Sequence, residues 1–195
     1  MIPVSKPWIV ETDADLVHSA VMSGWVSSTG AFISEFEDNF SDFVGVKHCT
    51  SVANGTVALH LALVAAGVGP GDEVILPDIT FAACANAVIY TGATPVFCDV
   101  EFSTLLMSID SVERLITPKT KAVIAVHLYG RPVDINTLRL ILQNKEIVII
   151  EDCAEAHSAA IGQQCVGSLG DISVFSFYGN KIITTGEGGA ICTNY

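Results

Sequence analysis

Basic residues are scarce in this chain. Nine lysines and arginines stand against 21 acids among 195 residues, a formal charge of −12. No basic stripe is available to neutralise a phosphate backbone, which argues against a nucleic-acid binder. Lys6 and Lys47 are the only bases in the first hundred residues. An anionic ligand must therefore rest mainly on backbone N–H groups and a few placed side chains. Apolar runs long enough to span a bilayer are missing, and residues 1–13 lack the charged head and apolar stretch of a secretory leader. A cytoplasmic location is the expectation. The six cysteines (Cys49, Cys84, Cys98, Cys153, Cys165, Cys192) form no C-x-x-C pair and no zinc-ligand spacing, so they read as reduced, mostly buried thiols rather than disulfides or a metal site. The motifs G-x-x-x-x-G-K-[ST], H-E-x-x-H and G-x-S-x-G are absent as well. Gly67, Gly69 and Gly71 follow a helix rather than a strand, which makes them a turn and not a dinucleotide fingerprint. Charged residues of all kinds make up only 15% against 50% hydrophobic. That excludes intrinsic disorder.

What is present is alternation. Short apolar runs, His48–Val52, Glu73–Pro77, Pro95–Val100, Ala122–His127, Ile147–Glu151, Ser173–Phe177 and Gly189–Thr193, read as strands. Several are solidly apolar, as expected for strands covered on both faces of a parallel sheet. Helical segments lie between them. Thr12 with Asp15 opens Asp13–Ser23, which Gly24 ends. Phe32, Phe36, Phe40 and Phe43 recur at helical spacing up to Gly45, a core stripe. Asn54 caps Gly55–Ala66, apolar nearly all round and so expected to be buried, with Gly67 closing it. Asp110 with Glu113 opens another helix, and Asp134 caps Ile135–Gln143. The pattern predicts one α/β layered domain over residues 1–195. The final strand runs to within two residues of Tyr195 with no terminal helix or tail, so the chain reads as a fragment of a longer protein.

Ligands in open α/β sheets gather beyond the carboxyl ends of the strands. After the first strand, Ala53-Asn54-Gly55-Thr56 opens a helix with small residues, free N–H groups and a hydroxyl, which suits a phosphate or an ordinary helix start. After the fifth comes Glu151-Asp152-Cys153-Ala154-Glu155-Ala156-His157. Acids there need partners; they could bind a metal, a ribose or a protonated ring nitrogen, or cap backbone structurally. His157 could be a base but reads better as a satisfied structural histidine. After the sixth, Ser176-Phe177-Tyr178-Gly179-Asn180-Lys181 precedes a glycine-rich stretch. Lys181 is either a snorkelling surface lysine or an amine able to form a Schiff base. Taken together, a phosphate cradle, a buried acid and an isolated lysine match the needs of pyridoxal 5'-phosphate.

Across essentially the whole chain the sequence resembles the DegT/DnrJ/EryC1/StrS family of pyridoxal-phosphate-dependent sugar aminotransferases. The matching blocks are residues 24–30, Asn54-Gly55-Thr56-Val57-Ala58-Leu59-His60-Leu61-Ala62-Leu63, residues 69–75, Thr80-Phe81-Ala82-Ala83-Cys84-Ala85-Asn86-Ala87, residues 126–130, Gly167-Ser168-Leu169-Gly170-Asp171 and residues 176–189. Gly179-Asn180-Lys181 with residues 151–156 looks closest to the branch that aminates GDP-4-keto-6-deoxymannose at C4.

The resemblance implies the large domain of the aspartate-aminotransferase-like fold, a seven-stranded, mainly parallel sheet without the C-terminal small domain. It implies that Lys181 joins the cofactor's aldehyde and moves protons, and that Asp152 pairs with the pyridinium nitrogen. Gly55, Thr56 and Ser176 would hold the phosphate, and Phe81 would stack on the ring. Glu155 stands near the phenolic oxygen, where many members carry glutamine. Ser27 and Thr29 fall in the stretch Ser27 to Gly30 that would help bind the sugar. Members with histidine in place of this lysine are dehydratases, a reading Lys181 disfavours. L-Glutamate and a nucleotide-linked 4-keto-6-deoxy sugar would be the substrates, in a homodimer with shared active sites. A non-catalytic binding or assembly module is the alternative that the missing half leaves open.

Overall fold

The structure is a computed structural model that describes residues 5–143 and 145–195. In chain order, α1 (Glu11–Met22) and α2 (Ala31–Val44) precede β1 (His48–Val52) and α3 (Gly55–Ala65). Next come β2 (Glu73–Pro77), α4 (Ala83–Tyr90), β3 (Thr94–Cys98), α5 (Ile109–Leu115) and β4 (Thr120–Val126). A 3-10 turn (Leu128–Gly130) and α6 (Ile135–Leu142) lead to β5 (Val148–Asp152), the small hairpin β6 (Ala160–Ile161) and β7 (Gln164–Cys165), then β8 (Ile172–Ser176) and β9 (Gly189–Thr193). Seven strands form one sheet in the order β1-β9-β8-β5-β4-β2-β3. Only β9 runs antiparallel to its neighbours; the other pairings are parallel.

Local chemistry explains the helix ends. Asn54 Oδ1 accepts from Val57 N–H at 3.0 Å, and Asp134 Oδ1 accepts from Thr137 N–H at 3.1 Å, each satisfying a donor left free by the first turn. Gly45, at φ +85°, closes α2 in a left-handed turn that an L side chain would strain. Helix α1 departs from expectation by starting at Glu11. It is Asp13, not Asp15, that accepts from the backbone N–H at the start, from Val10 at 3.0 Å. Helix α4 and the β6–β7 hairpin carry no sequence signal strong enough to read: α4 has no side-chain cap, and the hairpin strands are two residues each.

The solidly apolar strands are indeed covered twice. Ala122, Ile124 and Val126 of β4 join a core cluster with α3 and α4, while Val123 and Ala125 join another with residues of α5 and α6. A third cluster lies between α2 and the β8–β9 region. There the phenylalanine stripe divides. Phe40 is buried and meets Phe175 and Phe177 edge-on at 4.9 and 5.3 Å, but Phe32 and Phe43 are exposed. Helix α3 likewise buries one face only. Ala58, Leu59, Ala62 and Leu63 face the sheet, whereas Val57, Leu61 and Val64 lie exposed. Its all-round apolar composition thus serves two faces, and no described residue covers the outer one.

Replacing Phe40 by alanine is expected to cost about 3 kcal/mol or more in urea unfolding, because a buried ring is lost from a close-packed cluster. The same change at exposed Phe43 is expected to cost well under half as much.

Candidate active site

The carboxyl ends of β1, β5 and β8 open onto one cavity of about 340 Å³. Its lining includes Gly55, Thr56, Phe81, Asp152, Glu155, Ser176 and Lys181. All seven residues assigned to the cofactor from sequence therefore meet in one place. Ser27 and Thr29 do not line it; they lie exposed in the segment between α1 and α2.

Close backbone approach builds the first wall. A Cβ placed on Gly55 would sit 2.8 Å from Ser176 Cβ, and one on Gly189 would sit 2.6 Å from the Asn54 carbonyl carbon. Both positions need glycine, because the turn after β1 is pressed against β8 and β9. This brings the N-terminus of α3, Thr56 and the Ser176 hydroxyl to one edge, a set of donors suited to a phosphate.

Asp152 supplies the opposite end. Its side chain is buried, with Oδ1 accepting from Ala154 N–H at 3.0 Å and Oδ2 from the Cys84 thiol at 3.2 Å. Burial raises its pKa above the ordinary carboxylate value; the bonds from Ala154 and Cys84 and the charge of Lys181 pull the other way. Lys181 lines the same cavity. Its Nζ is 3.3 Å from Glu155 Oε1 and 5.9 Å from the Phe81 ring centre. Glu155 Oε2 also accepts from Tyr129 N–H at 3.2 Å. Tyr129 holds a left-handed backbone, φ +52°, which is uncommon for a non-glycine residue and points that N–H at the acid. The carboxylate at 155 thus has two donors, a lysine cation and an amide.

Glu151, next to Asp152, turns to the other face of the sheet. It accepts from Gly167, Leu169 and Gly170 N–H groups at 2.9, 2.8 and 2.5 Å and is 2.9 Å from His127 Nε2. Val133 N–H donates to His127 Nδ1 at 2.9 Å, so the ring proton is assigned to Nε2 and points at Glu151. Burial alone would raise the Glu151 pKa, but His127 and the amides outweigh it and the carboxyl lies below its ordinary value. Glu151 is therefore a structural anion that ties the 167–170 loop to the ends of β4 and β5. The sequence contained these residues, but nothing in their spacing showed that they pair. Nor did it give a role to Cys84, which stands behind Asp152, or to Thr80, Asn180 and Glu187 of the cavity wall.

His157 corrects the sequence reading in one respect. It is buried and structural, but neither ring nitrogen finds a hydrogen-bond partner among the described residues. It sits 5.6 Å from the rings of both Phe175 and Phe177. Burial, with the charge of Lys181, pulls its pKa down to about 4.

A sheet with one antiparallel strand, a carboxylate at the end of its central strand and a lysine across the same cavity are the marks of the large domain of pyridoxal-phosphate-dependent aminotransferases. The chain belongs to the DegT/DnrJ/EryC1/StrS aminotransferase family, whose model matches residues 7–195. It is 48% identical over 194 residues to the GDP-perosamine synthase of Vibrio cholerae, covering 100% of this chain and 53% of that protein. Among solved structures it is similar to an aminotransferase from Psychrobacter cryohalolentis, 38% identical with TM-score 0.94, over 98% of this chain and 49% of that one. The E. coli GDP-4-keto-6-deoxy-D-mannose-3-dehydratase with bound hydrated PLP is 26% identical with TM-score 0.94, over 99% of this chain and 51% of that one. The chain spans about half the length of each. The family's cofactor fits the residues present. The Gly55–Ser176 approach leaves amide and hydroxyl donors for a phosphate, Asp152 lines the cavity as an acceptor for a ring N–H, and Lys181 supplies an amine in the same cavity.

His157 predicts a pH dependence of stability. Its pKa is about 4 when folded against 6.5 unfolded, so above that range it contributes nothing. As pH falls from 6.5 towards 4 the unfolded chain takes up a proton that the folded chain refuses. The penalty grows by up to about 1.4 kcal/mol per pH unit. Urea titrations across that range are expected to show this slope in the native chain and a shallower one in His157→Leu.

Proposed function

We propose that this chain is the catalytic large domain of a sugar 4-aminotransferase. It would transfer the amino group of L-glutamate to a nucleotide-linked 4-keto-6-deoxy sugar, making a 4-amino sugar for surface polysaccharide or glycan synthesis in the cytoplasm. The observation that carries this reading is the convergence of Lys181, Asp152 and the Gly55–Thr56–Ser176 edge on one cavity. When bound, pyridoxal phosphate supplies a carbonyl that accepts an amino group and a ring that draws electrons from the substrate carbon.

The residues divide the work by position. Gly55 N–H, the Thr56 hydroxyl and Ser176 Oγ hold the phosphate at the start of α3. Phe81, on the cavity wall, would cover one face of the ring and narrow the access of water. Asp152, ionised, holds the proton on the ring nitrogen, and the ring stays electron-poor as a result. Lys181 Nζ is the amine that would hold the cofactor through its carbonyl carbon and, once released, would move the proton at the substrate carbon. For both roles the amine would first give up a proton, and Glu155 Oε1, 3.3 Å away, is placed to accept it and return it. Glu155, steadied by Tyr129 N–H, would stand near the cofactor's phenolic oxygen. Ser27 and Thr29, exposed before α2 and outside the cavity wall, would meet only the part of the sugar substrate that extends beyond the cavity.

The uncovered apolar faces favour a homodimer. Val57, Leu61 and Val64 of α3 and Ile89 and Tyr90 of α4 are all exposed, and a second copy would bury them, with active sites shared between copies. The chain spans about half the length of the relatives it matches, and a non-catalytic binding or assembly module is the alternative reading.

Absorbance separates the two. With added pyridoxal phosphate the chain is expected to show the visible band of a lysine-bound cofactor, and Lys181→Ala is expected to lack it. L-Glutamate is expected to bleach the band, and a subsequent panel of GDP-, UDP- and dTDP-linked keto sugars to restore it with an amino sugar detected by mass spectrometry. Asp152→Asn is expected to keep measurable cofactor but lose at least about a thousandfold in amino transfer, the scale of a lost preorganised electrostatic contact. A band unchanged by glutamate would favour the binding module.

A further inference from the structure

We infer that Cys84 is a positioning residue for the acid of the site: its thiol, itself held by Thr80, fixes one oxygen of Asp152 so that the carboxylate stays aligned on the cavity. The inference rests on the cofactor reading above and assigns a role to a side chain outside the cavity wall.

The geometry is a relay of three groups. Cys84 Sγ lies 3.2 Å from Asp152 Oδ2 and 3.2 Å from Thr80 Oγ1. Cys84 is wholly buried and Asp152 nearly so. A thiol has one hydrogen, and an ionised carboxylate only accepts. The hydrogen of Cys84 is therefore spent on Asp152, which leaves the sulfur as acceptor and Thr80 as donor. The order Thr80 O–H to sulfur, then S–H to carboxylate, is the single arrangement that satisfies all three.

Burial, then the neighbouring charge of Asp152, raise the Cys84 pKa well above its ordinary value. The thiol consequently remains a donor throughout the working pH range. Chain geometry holds it there. Thr80 and Cys84 are four residues apart at the entrance to α4, and Cys84 N–H donates to the Phe81 carbonyl at 3.1 Å. One short segment thus places the ring-covering Phe81 and the relay behind Asp152. With Oδ1 engaged by Ala154 N–H and Oδ2 by the thiol, the carboxylate cannot rotate, and its remaining lone pairs are available to a ring N–H in the cavity. Removing the thiol hydrogen leaves Oδ2 without its donor in a desolvated place, so the acid takes up a proton at higher pH and loses alignment.

The test uses the chain with pyridoxal phosphate. Cofactor affinity at neutral pH, and the pH at which the cofactor is released on acidification, are measured in native protein, Cys84→Ala, Cys84→Ser and Thr80→Val. Cys84→Ala is expected to weaken affinity about tenfold, the loss of one charge-assisted hydrogen bond, and to move the release midpoint up by about one pH unit. Cys84→Ser restores the donor and is expected to recover most of both. Thr80→Val is expected to shift the midpoint in the same direction by less. An unchanged midpoint in Cys84→Ala, or a serine variant as impaired as the alanine one, would overturn the inference. If Cys84→Ala does not fold, an unshifted midpoint in Thr80→Val does so instead. A readout without cofactor separates this from failure of the functional reading. In infrared spectra of the apo chain, the S–H stretch that vanishes in Cys84→Ser is expected to be shifted to lower frequency than those of the other buried thiols. An unshifted band rejects the relay whether or not the chain binds the cofactor.

Discussion

Strand β5 carries two carboxylates in succession into the interior, and the surrounding structure exists to keep both there. A buried acid without donors costs several kcal/mol or simply takes up a proton. The pleat sends Glu151 and Asp152 to opposite faces of the sheet, where they meet different solutions. Glu151 is saturated by three amides and the His127 ring, and nothing of it remains to react. Asp152 receives two donors on its protein side and keeps its open side towards the cavity. One acid holds the scaffold and the other stays open to the cavity, although they are adjacent in sequence and alike in type.

The sheet order completes the site. Because β9 inserts between β1 and β8, the turn at Asn54–Thr56 lies beside Ser176 although the two are far apart along the chain. The contact is close enough that Gly55 and Gly189 have no room for a side chain. Rigid strand ends thereby present the donors proposed for the phosphate, and the loop after β8 brings Lys181 to the same cavity. Position, rather than abundance of positive charge, is how so acidic a chain can hold an anionic cofactor. Lys181 alone among the cavity residues brings a positive charge, and Glu155 meets it there.

Much of this was legible in the residues themselves. Solidly apolar runs marked the strands buried on both faces, and Asn54 and Asp134 marked two helix starts that the structure repeats. The acids after β5 and the isolated Lys181 stood out on their own chemistry, whereas Ser176 and the choice of Asp152 came from the family resemblance. What stayed hidden was pairing across the fold. Nothing about His127 points to Glu151, because their hydrogen bond depends on how β4 sits beside β5. Cys84 looked like one more small core residue, and only the approach of α4 to β5 gives its thiol an acceptor. Helix α3 misled for a related reason, since composition reports how apolar a helix is but not how many faces the rest of the chain covers. His157 was read as satisfied because buried polar groups ordinarily are, and here the aromatic neighbours leave it without partners.

The central claim is that one amine, that of Lys181, receives the cofactor opposite Asp152. Borohydride reduction of the chain after incubation with pyridoxal phosphate, followed by proteolysis and mass spectrometry, tests it most directly. The account predicts a stable pyridoxyl adduct on the peptide containing Lys181 and on no other. Labelling confined to surface lysines such as Lys119, Lys121 or Lys145, or no label at all, would contradict it.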